Sequence, residues 1–283
     1  MKKLMFGMAA ALALCGMAIE SSNIVGYQTK AVEAGKFYIL GVQFEGVGVE
    51  ADVNKIVSGF TGGSLLEDDD FTKTAPQIQI PNARGTYDVY YYLKDGWYDN
   101  GTEDGDFKPG WCDLNGVIAG DAESTLTGLL EAGVAMWVKD VQAAESFQTA
   151  GQVPSDDRIE VTAPANFSLR ANAFPQAFNL NDETQVEYSG LTAGDLLDED
   201  TDFTKVASQI QVPNAKGTYD VYYYLSNGWY NNGTEDGDFK PGWCDLNGVI
   251  AGDAESTLTG EVSAGQGFWT KGVAAPFTIS FKK

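Results

Sequence analysis

Residues 71–128 recur as residues 203–260 at a constant offset of 132, and only seven of the 58 aligned positions differ. They are Thr74/Val206, Pro76/Ser208, Ile80/Val212, Arg84/Lys216, Lys94/Ser226, Asp95/Asn227 and Asp99/Asn231. A chain that carries one block twice must fold as two copies of one unit. The register extends outward more weakly. Trp137 meets Trp269 at the same offset, while Phe37 and Phe44 meet Phe167 and Phe174 at 130. Each unit therefore joins a divergent front to a nearly invariant middle. The expected boundaries are 19–152 for the first unit and 158–283 for the second, each within the usual domain range and too long for a solenoid repeat. The short polar join Gly151-Gln152-Val153-Pro154-Ser155-Asp156-Asp157 predicts units that touch.

The unit reads as strands. Residues 24–32 and 37–44 are rich in β-branched and aromatic types and flank Glu33-Ala34-Gly35, a hairpin signature. Gln77-Ile78-Gln79-Ile80 alternates with period two, and residues 86–93 form the strongest strand pattern. Residues 111–113 and 117–119 bracket Asn115-Gly116, which supplies the positive φ of a tight turn. Residues 134–138 and 146–149 close the unit, and only residues 52–57, capped by Asp52, read as a helical turn or two. Short strands with frequent turn signals predict an all-β chain: two tandem homologous units, each a β-sandwich or small barrel.

Lys2 and Lys3 precede an apolar run over 4–14, followed by the small residues Gly16 and Ala18. This is the layout of a signal peptide over 1–18, and it predicts a chain exported to the cell envelope or secreted. The run falls short of the ~20 residues of a spanning helix, so no membrane insertion is expected after cleavage. A rival reading makes Cys15 the acylated residue of a lipobox, against which stands the bulky Leu14 before it.

Charge and composition exclude whole classes of function. The chain holds 40 Asp and Glu against 18 Lys and Arg, a net charge of -22, and no histidine. Without imidazole there is no Ser-His-Asp or Cys-His nucleophile and no His-ligated zinc. The acidity opposes nucleic acid, whose binding needs clustered cations to release counterions.

Three features are candidate sites, each with a plainer alternative. In residues 99–106, Asn100, Thr102, Asp104 and Asp106 place oxygens at alternate positions with Gly105 between the last two, as an EF-hand loop does for Ca2+. Asn232, Thr234, Asp236 and Asp238 repeat the pattern. The twelfth position, where a bidentate Glu belongs, is Trp111, although Asp113 and Asp245 offer later carboxylates. The alternative is a solvated acidic turn. The second feature is the pair of acidic runs Glu67-Asp68-Asp69-Asp70 and Asp198-Glu199-Asp200-Thr201-Asp202, read as wet loops or as a cation-bridged contact. The third is aromatic: Tyr90, Tyr92 and Trp97, with Tyr222, Tyr224 and Trp229, form a candidate row for stacking a glycan or another partner, or else fill a β core. Because strand side chains alternate, Tyr90 and Tyr92 point one way and Tyr91 the other.

Cys112 and Cys244 stand at equivalent places and read as two buried thiols, as a disulfide across a pseudo-twofold axis, or as a pairing between molecules. The segments Ser22-Asn23-Ile24-Val25-Gly26-Tyr27-Gln28, Ala34-Gly35-Lys36-Phe37, Trp137 and Ala150-Gly151-Gln152-Val153 resemble a group of uncharacterised exported bacterial proteins built from tandem β-rich units. The resemblance covers most of the first copy and implies a β fold and a secreted or envelope location. It transfers no binding or catalytic residue. A carboxylate-dependent glycoside hydrolase would need two carboxylates of split pKa, and Asp104 with Asp113 is such a pair by composition alone. The sequence thus points to a non-enzymatic structural or surface-interaction protein, acting in adhesion or assembly, self-associating or bound to an envelope partner, with Ca2+ as a stabilising ion. A pair of carbohydrate-binding modules is the alternative.

Overall fold

The computed structural model describes residues 25–45, 52–58, 60–68, 70–82, 84–139, 145–234 and 236–283. The signal-peptide reading and Cys15 lie outside them, as do Asp69 of the first acidic run and Glu235 of the second acidic turn. The chain is nearly all β, arranged as antiparallel sheets.

In the first unit the strands are β1 Val25–Val32, β2 Phe37–Gly41, β3 Val57–Ser58, β4 Gln77–Pro81, β5 Tyr87–Tyr98, β6 Asp106–Cys112, β7 Ala135–Lys139 and β8 Glu145–Gln152. A five-stranded sheet runs β2-β7-β4-β5-β6, and a three-stranded sheet runs β1-β8-β3. Period-two alternation on each strand turns one row of apolar side chains into the gap between the sheets. There Leu40, Ile78, Tyr90, Trp111, Met136 and Val138 meet Val32, Val57 and Phe147 in one buried cluster. The outer face of the large sheet carries a smaller core of Phe71, Ala75, Leu93, Cys112 and Ile118, which the loop before β4 covers.

The second unit repeats the plan with β9 Arg158–Ala163, β10 Ser168–Ala171, β11 Phe178–Asn179, β12 Val186–Ser189, β13 Gln209–Pro213, β14 Tyr219–Tyr230, β15 Asp238–Cys244, β16 Glu261–Val262, β17 Gly267–Lys271 and β18 Phe277–Lys282. Its sheets run β10-β17-β13-β14-β15 and β12-β18-β9, with β11 and β16 as an added ribbon.

The hairpin expected at Glu33-Ala34-Gly35 does not form: the chain turns there, but β1 pairs with β8 and β2 with β7, because the turn carries the chain from one sheet to the other. Several strand boundaries also differ from the sequence reading, two of them for clear reasons. β5 runs on to Tyr98 through Lys94-Asp95-Gly96 because a bulge between Leu93 and Gly96 absorbs the irregularity without ending the ladder. β6 starts at Asp106, not at Trp111; its first four residues are exposed and include Pro109, which an edge strand tolerates. The helical turn α1, Val53–Ile56, forms where residues 52–57 predict it, and Asp52 caps it by accepting from the Asn54 amide at 2.7 Å.

The units meet about a pseudo-twofold axis. Gly41 N donates to Gly265 O at 2.9 Å, and the equivalent Ala171 N donates to Gly133 O at 3.0 Å. Ile39, Ala135, Leu169 and Ala171 form the buried patch between them. Beside it Phe37, Trp137, Trp269 and Phe167 make an edge-to-face row with centroids 5.7, 5.9 and 6.1 Å apart. Lys139 over Phe37 and Lys271 over Phe167 terminate the row at its two ends. A side chain on Gly41 would overlap the Ala171 methyl, so the close approach requires glycine there.

Candidate functional site

The acidic turn after β5 is held by its own hydrogen bonds. Asn100 Oδ1 accepts from Thr102 N at 2.9 Å and from Thr102 Oγ1 at 2.6 Å, and Asn100 Nδ2 donates to Gly105 O at 3.2 Å. Asp106 Oδ1 accepts from Phe107 N at 2.8 Å, while Asp104 is exposed. Asn232 Oδ1 likewise accepts from Thr234 N and Oγ1, and Asp238 Oδ1 from Phe239 N, while Asp236 is exposed as Asp104 is. Among the described residues no three Asp, Glu, Cys or His side chains converge as a cation site would need. Asn100 and Asp106 thus spend oxygens on turn amides, which is how Asn and Asp shape Asx turns.

Asp113 and Asp245, the later carboxylates, are buried inside the unit. Asp113 Oδ1 accepts from Asn115 N and Val117 N, and Oδ2 from Ser124 Oγ, Thr125 N and Thr125 Oγ1, at 2.9 to 3.2 Å. Each oxygen is saturated by donors that tie the β6 turn to the following loop. Asp113 therefore has both oxygens engaged within the fold. The acidic runs are similarly capped: Asp70 pairs with Lys73 at 2.5 Å, Glu67 with Lys94 at 2.8 Å, and Asp202 with Lys205 at 3.2 Å.

The aromatic row divides between core and surface. Tyr90 and Tyr222 are 2 % and 1 % exposed and lie between the sheets, so they are removed from the candidate glycan contacts. Burial, with Asp88 and Asp220 beside them, pushes both phenols up to about 12. Tyr92 packs edge-on against Trp111 at 5.1 Å, and Tyr224 against Trp243 at 5.5 Å. Trp97 and Trp229 each donate from Nε1 to a carbonyl of the acidic turn, Asp104 O and Asp236 O, at 3.2 Å. The indoles are the floor of the turn, and Gly105 is needed because a Cβ there would enter the Trp97 ring. Cys112 and Cys244 are separate buried thiols whose pKa burial lifts to about 12.

Apolar side chains on the hairpins of β6 and β15 remain exposed. Phe107 and Phe239 are each 43 % exposed, and Leu114 and Leu246 each 65 %. Two clefts also open. One, about 650 Å³, lies where the units meet and is lined by Lys30, Phe37, Trp137, Asn214 and Tyr219. The other, about 630 Å³, opens between the sheets of the second unit alone, among Arg158, Tyr188, Tyr224, Lys240 and Trp243. Pattern reading could not find either cleft, because each joins residues far apart in sequence.

Comparison with known proteins returns no match to any protein family, any curated protein or any solved structure. Among the described residues no helix is long and apolar enough to cross a membrane.

Proposed function

We propose that this is an exported, non-catalytic interaction protein, acting in adhesion or assembly, that engages its partner through two like surfaces on one rigid body. One observation carries the reading. Differences between the repeated blocks reach buried positions, Pro76/Ser208 and Ile80/Val212, yet the large exposed apolar residues Phe107 and Leu114 recur unchanged as Phe239 and Leu246. Folding constrains the buried positions, by fit and by hydrogen bonding, and asks nothing of exposed apolar ones. Their repetition fits a surface that both units present.

Two like sites in a fixed relation convert the second contact into an intramolecular one, worth about 10²- to 10⁴-fold in avidity where the geometry permits both. The test is sedimentation velocity of the full chain over a range of concentrations, with retention on cell-envelope fragments measured in parallel. Leu114→Ser or Leu246→Ser alone is expected to weaken association, and the two together to abolish it. A chain that stays monomeric and is not retained, or a double variant that associates as well as the parent, rejects the reading.

A further inference from the structure

The chain carries a net charge of -22, yet the cleft of about 650 Å³ where the units meet has a cationic lining. Its charged residues are Lys30, Lys36 and Glu33. Glu33 pairs with Lys36 at 2.5 Å, while Lys30 is exposed and takes part in no ion pair among the described residues. Lys139, its ammonium 5.2 Å from the centroid of the Phe37 ring, forms no ion pair among them either. At physiological ionic strength exposed charges more than about 8 Å apart are largely screened, so an occupant meets these ammoniums rather than the acidic total.

The walls are aromatic and open. Phe37 and Tyr219 are 51 % and 38 % exposed, and half-buried Trp137 stands edge-on to Phe37 at 5.7 Å. Two side-chain bonds fix the wall that the second unit supplies: Gln28 Nε2 donates to Ala264 O at 2.9 Å, and Gln266 Nε2 to Pro213 O at 2.6 Å. The edge of β2, with which an extended peptide would pair, is met at Leu40 by Gln266 and at Gly41 by Gly265, so the recognition on offer is by side chains. Those side chains are ring faces beside an unpaired ammonium. An aromatic ring takes the apolar face of a pyranose, and an ammonium takes a carboxylate through a charge-assisted hydrogen bond.

We propose that this cleft binds an acidic saccharide, a chain of uronic-acid sugars, with a sugar carboxylate on Lys30 and apolar sugar faces on Phe37 and Tyr219. The divergent front halves make its cationic lining the first unit's own. In the β1–β8 ladder Lys30 faces Phe147, and in the second unit Val161 faces Ile279, 132 positions on from Phe147. Lys36, just before Phe37, gives way to Asn166, just before Phe167. The site is independent of the paired Leu114 and Leu246 surfaces above.

The experiment is titration of the full chain with hexagalacturonate, hexaguluronate and a hyaluronan hexasaccharide, read by the NMR indole N–H resonances. A chelator is present, so that no cation bridges the acidic loops to the sugar. At least one sugar should move the Trp137 resonance saturably by about 10 mM, where low-millimolar affinities are filled, and leave the buried Trp243 in place. Lys30→Gln and Phe37→Ser, both at exposed positions, should keep the thermal midpoint and each weaken that sugar about tenfold. Silence of the Trp137 resonance with all three sugars overturns the proposal, as does undiminished binding by either variant. So does equal binding of hexaglutamate, which would show that the cleft reads charge without the sugar ring.

Discussion

Asp113 illustrates how a side chain's chemistry depends on who reaches it first. Its five donors come from a tight turn and from a loop eleven residues on, so the carboxylate acts as a clamp. Asp113→Ala would strand three backbone amides and should lower stability by on the order of 3 kcal/mol, seen as a reduced urea midpoint at unchanged slope. An effect under about 0.5 kcal/mol would refute the clamp. The Asp113-Leu114-Asn115-Gly116 signature could have revealed it, since Asp at the first position of such a turn bonds the amide two residues on, as Asp113 does with Asn115 N.

Asp95 and Asn227 show compensation within one chain. Asp95 accepts from Ser64 Oγ at 2.6 Å and Leu65 N at 2.6 Å, whereas Asn227 donates to Asp195 at 2.7 Å, so the acid has crossed to the other side of the pair. Burial raises the Asp95 pKa, but the hydrogen bonds from Ser64, Leu65 and Leu66 outweigh it and hold it low. A carboxyl depressed on folding adds stability above its unfolded value, about 3.9, and loses it as pH falls through the folded one. The stability lead of the parent over Asp95→Asn should therefore shrink on acidification from about pH 6 to about pH 2.5, measured by urea unfolding. A lead that does not change with pH would mean that the charge contributes nothing. Cys112 and Cys244, buried and lifted to about 12, should resist a thiol reagent in the native state and react at once in denaturant.

At the scale of elements, alternation was readable and irregularity was not. The opposed facings of Tyr90 and Tyr91 follow from the pleat: Tyr90 enters the gap between the sheets, and Tyr91 packs on Phe71 at 5.5 Å over the outer core. The continuation of β5 past Lys94-Asp95-Gly96 was hidden, because the strand pattern breaks off at Leu93 and only the pairing with β6 reveals the bulge. Gly96 is fixed there by space, as a Cβ would overlap Cys112 Sγ and Ile118. Gly96→Ala should cost roughly 1–3 kcal/mol through overpacking, read as a lower thermal midpoint. The acidic turn holds its shape by its own hydrogen bonds, so the midpoint of the full chain should be the same in calcium as in chelator. A rise with calcium would show that the ion recruits these oxygens in the native state.

At the scale of the molecule, the pseudo-twofold contact makes one body of two similar units. Leu169 and Ile39 are the buried aliphatics of that patch. Leu169→Asp would bury an unpaired charge there and should split a single calorimetric transition into two, the units unfolding separately. One unchanged transition would show that the contact carries no cooperativity.

Duplication and strand periodicity were legible from the residues alone, as was the turn at Asn115-Gly116, because each is set by neighbours a few positions apart or by self-identity along the chain, whereas the hairpin read at Glu33-Ala34-Gly35 was not, since pairing is chosen by distant strands. Which carboxylate is a clamp, which tyrosine is core, and which rings share a cleft with Lys30 were decided only in three dimensions. Identical blocks meet different flanks, and hydrogen-bond satisfaction and burial belong to the neighbours a side chain finds, which lie far off in sequence.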